Sequence, residues 1–223
     1  MNYLEIEKEM TKTYNAIARK YEKEAEEDWK DKKYVNKFLT YLNHNDSVLD
    51  IACGTGELLK YYNDVGLKTT GIDISKEMVN ISKSKVPNAN IINMSLYDID
   101  TLEEKFDGIS VTFTLVHIPK EKINEVIEKI NGKLKDNGKL FIVFTTSLKE
   151  GLQAEPLDSN YKYYAINYSR DEVCNILENN GFEILESKEK TRINKSNVGI
   201  IIARKEGKKY TVKTTKKAME YIK

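Results

Sequence analysis

A glycine-containing turn directly after an apolar strand is the feature of this sequence that most clearly predicts ligand chemistry. The segment 47–56, SVLDIACGTG, runs from a predicted strand into Gly54 and Gly56. Glycine at such a turn allows a ligand to approach the backbone closely. Asp73 ends the next predicted strand, 68–72. We therefore expect its carboxylate beside the turn, where it could accept hydrogen bonds from an adenosine ribose.

The spacing after the turn disfavours a dinucleotide. A pyrophosphate site calls for Gly-x-Gly-x-x-Gly at the start of a helix, and the third position is occupied here by Leu59. A nicotinamide-dependent oxidoreductase is therefore a weaker alternative for this chain.

The motifs LDIACGTG at 49–56 and GIDIS at 71–75 resemble the cofactor motifs of class I S-adenosylmethionine-dependent methyltransferases. The resemblance covers roughly residues 14–205 and implies S-adenosyl-L-methionine as the cofactor. In that family the glycine loop contacts the methionine end of the cofactor, and the acidic residue ending strand two binds the ribose. Carried onto this chain, the implied cofactor-binding residues are Tyr14, Tyr21, Asp50, Ala52, Cys53, Gly54, Gly56, Asp73, Ile74, Met78, Ser95, Leu96, Phe113 and Thr114.

Four of these positions have a second interpretation. Ser95 stands where the family more often has aspartate, so the backbone amide of Leu96 is the contact left for adenine N1. Asp50 could hydrogen-bond the glycine loop or, through water, the cofactor's amine. Met78 could pack on adenine or belong to the core. Cys53 fills a position that needs a small residue, and nothing beside it indicates a thiolate nucleophile.

His117 is the candidate catalytic residue, because it follows the predicted fourth strand in the segment FTLVHIP at 113–119. An imidazole that titrates near neutrality could take a proton from an acceptor hydroxyl or amine. The alternative is that His117 only shapes this loop or lies on the cofactor side. A base is not essential, since alignment of nucleophile, methyl and sulfur about 3 to 3.5 Å apart can supply much of the acceleration.

The acceptor pocket is assigned to a tyrosine-rich segment, 147–168, which we expect to be long and irregular. Tyr163 and Tyr164 are its candidate substrate-binding residues, together with His117. Packing of these rings over the edge of the sheet is the alternative interpretation.

The elements that must position these residues follow from periodicity and turn signals. Apolar stretches predict strands at 68–72, 90–93, 107–113 and 139–144, separated by helices at 76–85 and 123–134. Ser169 and Glu172 form a capping-box pattern at the start of a helix that ends at Gly181. The segments 182–193 and 198–205 predict an antiparallel strand pair. At the amino end, an apolar and aromatic stripe predicts a docking helix: Tyr14, Ile17, Ala18 and Tyr21.

These elements predict an α/β fold with parallel strands and crossover helices. The resemblance makes this a Rossmann-like, doubly wound, seven-stranded sheet that is mostly parallel, with an antiparallel C-terminal strand and helices on both faces. We expect one domain at 1–205, including an N-terminal cap helix, and a basic C-terminal tail at 206–223.

Composition limits the function classes further. The net charge of +1 over 223 residues creates no global field that would favour nucleic acid or a membrane surface. The two cysteines, Cys53 and Cys174, lie far apart, which disfavours a disulfide framework or a metal site. The longest apolar run, 198–203, is too short to span a bilayer. We therefore expect a cytoplasmic protein that holds no metal.

The sequence therefore predicts transfer of a methyl group from S-adenosylmethionine to an oxygen, nitrogen or carbon atom of a small-molecule acceptor. A non-catalytic S-adenosylmethionine-binding sensor or assembly module is the main alternative, because the motifs indicate binding and not turnover. An RNA methyltransferase is less favoured and depends on the basic tail. Neither the acceptor nor the oligomeric state follows from the residues.

Overall fold

The protein folds around a seven-stranded sheet, seen in a computed structural model that describes residues 1–28, 32–191 and 197–207. Most of the predicted basic tail, 206–223, lies outside the described residues. The helices are α1 Tyr3–Asp28, α2 Lys33–Leu39, α3 Glu57–Asp64, α4 Lys76–Lys85, α5 Ile123–Lys133 and α6 Arg170–Asn179. The strands are β1 Ser47–Ile51, β2 Lys68–Asp73, β3 Asn90–Asn93, β4 Phe106–Thr112, β5 Leu134–Thr146, β6 Gly151–Glu155, β7 Asp158–Ala165, β8 Phe182–Thr191 and β9 Asn197–Lys205.

The strand order in the large sheet is β3-β2-β1-β4-β5-β9-β8. Strands β1 to β5 pair in parallel, whereas β9 runs antiparallel to both β5 and β8. The order reverses at β1, since β2 and β4 flank it on opposite sides. This topology confirms the predicted doubly wound sheet with one antiparallel C-terminal strand.

Helices bury apolar side chains against both faces of the sheet. On one face, α5 and α6 pack onto a cluster that includes Ile109, Ile142 and Ile201. On the other face, Phe38 of α2 and Tyr62 of α3 belong to a second cluster with strand side chains. Burial on both faces is why the central strands are continuously apolar in sequence.

The segment 147–168 is not irregular, so that prediction is wrong. It forms an antiparallel hairpin of β6 and β7, separate from the large sheet. Tyrosines favour strands, and the Pro156-Leu157 pair supplies the turn between them. The hairpin is tied back to the core because Ile166 N donates to Val116 O at 2.8 Å and Tyr168 OH donates to Ile118 O at 2.7 Å.

The predicted termini of α5 and α6 need two corrections. Leu134 begins β5 instead of ending α5, and β5 is irregular at Asn137, where the φ angle is 63°. Ser169 Oγ accepts a hydrogen bond from Glu172 N at 3.1 Å, as predicted for the N-cap of α6. The Glu172 carboxylate, however, lies 3.1 Å from the Lys120 ammonium instead of completing the capping box.

Candidate active site

A cavity lies at the carboxyl ends of β1, β2 and β4, where the strand order reverses. Ligands in doubly wound sheets bind at this place because the loops there diverge to opposite faces. The cavity has about 830 Å³ of atom-free space, including its open mouth. Its lining comes from the ends of β1 to β4 and the segments that follow them, and from α1: Ile6, Glu7, Met10, Tyr14, Tyr21, Ala52, Gly54, Ile72, Asp73, Ile74, Met78, Met94, Ser95, Leu96, Tyr97, Thr112, Phe113, Thr114 and His117.

Two lining residues have strained backbones. Ala52 follows β1 with a φ of 56°, and Phe113 follows β4 with a φ of 58°. Left-handed backbone at a residue with a side chain destabilises the fold by about 1 to 3 kcal/mol and persists only where the surroundings hold it. Phe113 is held partly by its own amide, which donates to Val143 O at 2.7 Å. Such strain clusters at functional sites, and here it turns both loops sharply where the strands end.

Asp73 fixes the loop that follows β1. Its Oδ2 accepts a hydrogen bond from Gly54 N at 2.9 Å, and its Oδ1 accepts one from Ser75 N at 2.8 Å. Burial raises the pKa of Asp73 to about 6, although both amides favour the ionised form. Each carboxylate oxygen can accept more than one hydrogen bond, so Asp73 can accept further hydrogen bonds at the cavity wall.

The two loop glycines have different roles. Gly54 lines the cavity, where a Cβ would lie 3.6 Å from Tyr21 Cε1, an ordinary contact distance. Gly56 does not line the cavity, and its Cβ would lie 2.4 Å from Ser82 Oγ of α4. Its φ of 87° is also unfavourable for any other residue. Glycine at 56 is therefore required by packing against α4, and its role in cofactor binding stays a prediction.

Helix α1 covers the cavity and is fixed at both sides. Asn15 Oδ1 accepts hydrogen bonds from Ser75 Oγ at 2.9 Å and from Glu77 N at 3.2 Å, at the start of α4. Thr13 Oγ1 donates to Lys162 O of β7 at 2.6 Å. The predicted stripe on this helix is confirmed as a docking face, because Ala18 packs with Met78 and Ile81 of α4.

His117 is held by hydrogen bonds at both ring nitrogens. Nδ1 lies 2.8 Å from Tyr164 O, and Nε2 lies 2.9 Å from Tyr14 Oη. A carbonyl oxygen only accepts, so Nδ1 must carry the proton and donate. In the neutral ring Nε2 is then the acceptor, and the Tyr14 hydroxyl donates to it. Burial lowers the pKa of His117 and so favours this neutral form.

Tyr14 connects α1, to which it belongs, with the loop after β4 through its hydrogen bond to His117. Burial raises the pKa of its hydroxyl well above the ordinary value, so the hydroxyl stays protonated and remains a donor. Its ring centroid lies 5.7 Å from the His117 ring and 6.3 Å from the Tyr21 ring, both edge-on. Tyr14 and Tyr21 both line the cavity, and their contact with the cofactor stays a prediction.

The structure brings most of the predicted residues together around the cavity. Those that line it are Tyr14, Tyr21, Ala52, Gly54, Asp73, Ile74, Met78, Ser95, Leu96, Phe113, Thr114 and His117. Met78 is both core and lining, since it is 2% exposed and packs with Ala18. Ser95 accepts from Tyr97 N at 3.0 Å, so its hydroxyl also caps the short turn at Leu96–Thr101.

Five predicted residues lie outside the lining: Asp50, Cys53, Gly56, Tyr163 and Tyr164. Asp50 is 1% exposed and accepts a hydrogen bond from Ser110 Oγ at 2.5 Å within the sheet. Cys53 packs in a small cluster with Leu59 and Val79, and burial raises the pKa of its thiol well above the ordinary value. That environment agrees with the steric role expected for Cys53.

The two hairpin tyrosines contact His117 in different ways. Tyr164 does so through its backbone carbonyl, while its side chain packs against the core cluster of α5 and α6. The Tyr163 ring lies edge-on to the His117 ring, with centroids 6.2 Å apart. Their roles in acceptor binding stay predictions.

Sequence reasoning missed seven lining residues: Ile6, Glu7, Met10, Ile72, Met94, Tyr97 and Thr112. A signal existed for two of them. Ile6 and Met10 precede Tyr14 at steps of four, so they extend the predicted helical stripe toward the amino end. The others depend on how neighbouring loops approach one another, which periodicity does not encode.

The cavity fits an adenosyl ligand. Asp73 supplies a buried acceptor beside a loop glycine without a side chain, and the apolar residues Met78, Met94 and Leu96 supply surfaces for a purine ring. Among the residues that the structure describes, no group of three His, Cys, Asp or Glu side chains could hold a metal ion. Within the same ranges, no helix combines the length and apolar character needed to cross a membrane.

Comparison with known proteins gives one family match. Residues 21–187 match the family model described as methyltransferase domain. A ubiquinone/menaquinone biosynthesis C-methyltransferase from Campylobacter jejuni is 24% identical over 222 residues, covering 83% of this chain and 94% of the relative.

Solved structures give the same fold at low identity. An S-adenosylmethionine-dependent methyltransferase from Methanosarcina mazei has a TM-score of 0.66 at 21% identity, covering 76% of this chain and 97% of its own. The 1,6-didemethyltoxoflavin-N1-methyltransferase from Burkholderia thailandensis, with bound 1,6-didemethyltoxoflavin and S-adenosylhomocysteine, has a TM-score of 0.63 at 18% identity. That alignment covers 86% of this chain and 87% of the other. At these identities the likeness shows the fold alone.

Proposed function

The chain belongs to the methyltransferase domain family and is an S-adenosylmethionine-dependent enzyme, and on that premise we propose that it methylates a small-molecule acceptor with His117 as proton acceptor. The methyl acceptor binds at the His117 end of the cavity. Asp73 and the Gly54 loop hold the adenosyl part of the cofactor, and Leu96 and Met78 flank its adenine. Family membership also sets the nicotinamide alternative aside.

The observation that carries this proposal is the fixed tautomer of His117. Because Nδ1 donates to Tyr164 O, the lone pair of the neutral ring is on Nε2, where the Tyr14 hydroxyl meets it at 2.9 Å. His117 and Tyr14 both line the cavity. A base in this position is neutral near pH 7, since burial lowers its pKa from the ordinary value of 6.5.

When bound, S-adenosylmethionine supplies an electrophilic methyl group, so the acceptor lone pair forms the new bond to carbon while the carbon–sulfur electron pair stays on sulfur. An acceptor proton released in that step passes to His117 Nε2. It passes through the Tyr14 hydroxyl, which gives its own proton to Nε2 as it takes the one from the acceptor. The aromatic and apolar lining keeps water from the site and favours loss of charge at sulfur.

The test is methyl transfer from radiolabelled S-adenosylmethionine to a panel of small hydroxyl, amine and activated-carbon compounds. On an acceptor found in that panel, we expect His117→Gln to lower kcat by about 10²- to 10⁴-fold, because a general base contributes about that much. Cofactor affinity should stay unchanged. His44, the exposed second histidine of the chain, provides the matched control as His44→Gln.

Two results would contradict the proposal in different ways. An unchanged kcat in His117→Gln would mean that His117 has only a structural role. Alignment of the nucleophile, methyl group and sulfur would then account for the reaction without a base. Tight binding of S-adenosylmethionine without product from any compound would favour the sensor or assembly module over the enzyme's small-molecule role.

A further inference from the structure

Glu7 is a carboxylate in the cavity lining to which the proposed function gives no role. It lies in the second turn of α1 and is partly buried. Among the residues that the structure describes, none forms a hydrogen bond or an ion pair with its carboxylate. Asp73, the other carboxylate of the lining, already accepts hydrogen bonds from two loop amides. Glu7 therefore gives the cavity an anionic acceptor that a ligand can use.

A ring contact places this part of α1 at the end of the cavity formed by the segment after β3. Tyr3 and Tyr97 meet edge-on with centroids 5.1 Å apart, and Tyr97 lines the cavity together with its neighbours Ser95 and Leu96. Glu7 follows Tyr3 by four residues, so the two lie on the same face of the helix. Burial raises the pKa of Tyr97 and the negative charge of Glu7 raises it further, as expected for a carboxylate near that ring. Glu7 therefore lies beside the segment after β3.

This end of the cavity is separate from the His117 end. Tyr14, which is hydrogen-bonded to His117, follows Glu7 by seven residues on the same helix. Two turns of helix separate these positions by about 10 Å along the axis. Under the proposed function the methyl acceptor binds at the His117 end, so a ligand group beside Glu7 is remote from the reacting atoms.

The segment after β3 also offers a backbone donor to a ligand. Tyr97 N donates to Ser95 Oγ at 3.0 Å, and Asp98 N donates to Ser95 O at 3.1 Å. Leu96 N, which precedes both, has no acceptor within the part of the chain that the structure describes. This wall of the cavity therefore presents an amide hydrogen from Leu96 and a carboxylate from Glu7.

Adenine has the complementary pattern on one edge. Its N1 accepts a hydrogen bond, and the 6-amino group on the adjacent carbon donates one. Hydrogen bonds to an ionised acceptor are stronger than those between neutral groups. A purine with a 6-oxo group has the donor and the acceptor reversed, so it would leave both protein groups unpaired. An amide hydrogen beside a carboxylate therefore selects adenine.

We propose that Glu7 accepts a hydrogen bond from the 6-amino group of the cofactor's adenine, while Leu96 N donates to adenine N1. This inference rests on the proposed function, because it uses the placement of adenine beside Leu96. It makes Glu7 a specificity-determining residue that takes no part in bond formation. Helix α1 then recognises the base of the cofactor in addition to covering the cavity.

The test is calorimetric titration with S-adenosylhomocysteine and with its 6-deamino analogue, in which hydrogen replaces the amino group and N1 stays an acceptor. We expect the wild type to bind S-adenosylhomocysteine about tenfold or more tightly than the analogue, because a hydrogen bond to a charged group is lost. Glu7→Leu should lose most of this ratio of affinities. Glu7→Gln should keep part of it, since its amide oxygen still accepts.

Glu9→Leu is the matched control, because Glu9 is on the same helix, pairs with Lys12 and does not line the cavity. We expect it to keep the full ratio of affinities. Melting temperatures show whether each variant folds. If Glu7→Leu does not fold, the two ligands still test the inference on the wild type and on Glu7→Gln.

Equal affinity of the wild type for the two ligands, or the same ratio in Glu7→Leu as in the wild type, would overturn the inference. The placement of adenine is checked separately by the methyl NMR signals of Met78 and Met94, which should shift when S-adenosylhomocysteine binds. Shifted signals with a ratio that is independent of Glu7 would overturn this inference alone. Absence of methyl transfer to every compound, with a ratio that depends on Glu7, would overturn the proposed function alone, because binding is measured without turnover.

Discussion

At the scale of single residues, Asp73 joins the loop after β1 to the start of α4. Its carboxylate oxygens accept hydrogen bonds from Gly54 N and Ser75 N, and it lines the cavity. We expect Asp73→Ala to weaken S-adenosylhomocysteine binding by about 1.5 to 3 kcal/mol for each ribose hydrogen bond lost. Calorimetric titration measures this. Asp64→Ala, an exposed carboxylate paired with Lys60, is the control, and unchanged affinity in Asp73→Ala would refute the ribose assignment.

Asp50 makes stability depend on pH. Burial raises its pKa from 3.8 to about 7, so the folded protein holds a proton there that the unfolded chain releases from about pH 4 upward. The contribution of Asp50 to the free energy of unfolding is therefore greatest at low pH, and it declines as pH rises from about 4 to 7. Asn at this position can still accept from Ser110 and carries no charge, so Asp50→Asn removes the decline.

Urea unfolding at pH 5 and pH 8 checks this prediction. We expect the free energy of unfolding of Asp50→Asn to exceed that of the wild type by about 2 to 3 kcal/mol more at pH 8 than at pH 5. The reason is that the wild type loses stability as Asp50 ionises, whereas Asn does not titrate. Asp64→Asn should show no such difference between the two pH values. An equal gain at both would mean that Asp50 stays ionised in the folded protein.

At the scale of elements, close packing of the β1 loop on α4 limits what can replace Gly56. A Cβ there would meet Ser82 Oγ at 2.4 Å on a backbone with φ of 87°. We expect Gly56→Ala to lower the free energy of unfolding by about 1 to 3 kcal/mol. Gly132, near the end of α5, has no atom within 4 Å of its Cβ position.

Gly132→Ala should therefore raise the free energy of unfolding, by about 0.5 to 1 kcal/mol, through helix propensity. Denaturant titration of both variants measures these two changes in the free energy of unfolding, which we expect to have opposite signs. A destabilised Gly132→Ala, or a Gly56→Ala protein as stable as the wild type, would contradict the packing described for these two elements.

The hairpin of β6 and β7 and the helix α1 form the element pair that closes the site. Lys20 of α1 lies 2.6 Å from Asp158 of β7, and Thr13 donates to Lys162 O at the same distance. His117 Nδ1 donates to Tyr164 O, which ties the hairpin to the loop after β4. These contacts therefore join three elements that are far apart in sequence.

At the scale of the whole molecule, residues 208–223 are expected to be dispensable for folding. Glu206 N still donates to Gly181 O at 2.9 Å, so a chain ending at Gly207 keeps that contact. We expect its melting temperature and its affinity for S-adenosylhomocysteine to match those of the full chain. The same truncation tests the RNA alternative, because RNA binding through this basic tail would be strongly salt-dependent and would vanish without it.

A large loss of stability in the truncated chain would mean that the domain extends beyond residue 205. Binding of RNA with a steep salt dependence by the full chain alone would favour the RNA methyltransferase over a small-molecule enzyme. Scanning calorimetry and binding titrations at two salt concentrations separate these outcomes.

The sequence by itself determined the sheet, most of the strands and the cofactor side of the cavity. These follow from local signals: apolar runs for the parallel strands, Gly54 and Gly56 after β1, and Asp73 at the end of β2. Each depends on residues close together in the chain, so a single sequence contains them. The position of His117 after β4 followed in the same way.

Only the tertiary structure decided how the His117 end of the cavity is built. The pairing of Tyr14 with His117 spans 103 residues, and the hydrogen bond from His117 Nδ1 to Tyr164 O reaches a hairpin in a segment that we expected to be irregular. The reason for glycine at 56 likewise lies in Ser82 of another helix. Contacts of this kind depend on the relative placement of whole elements, and side-chain periodicity within one element has no information about it.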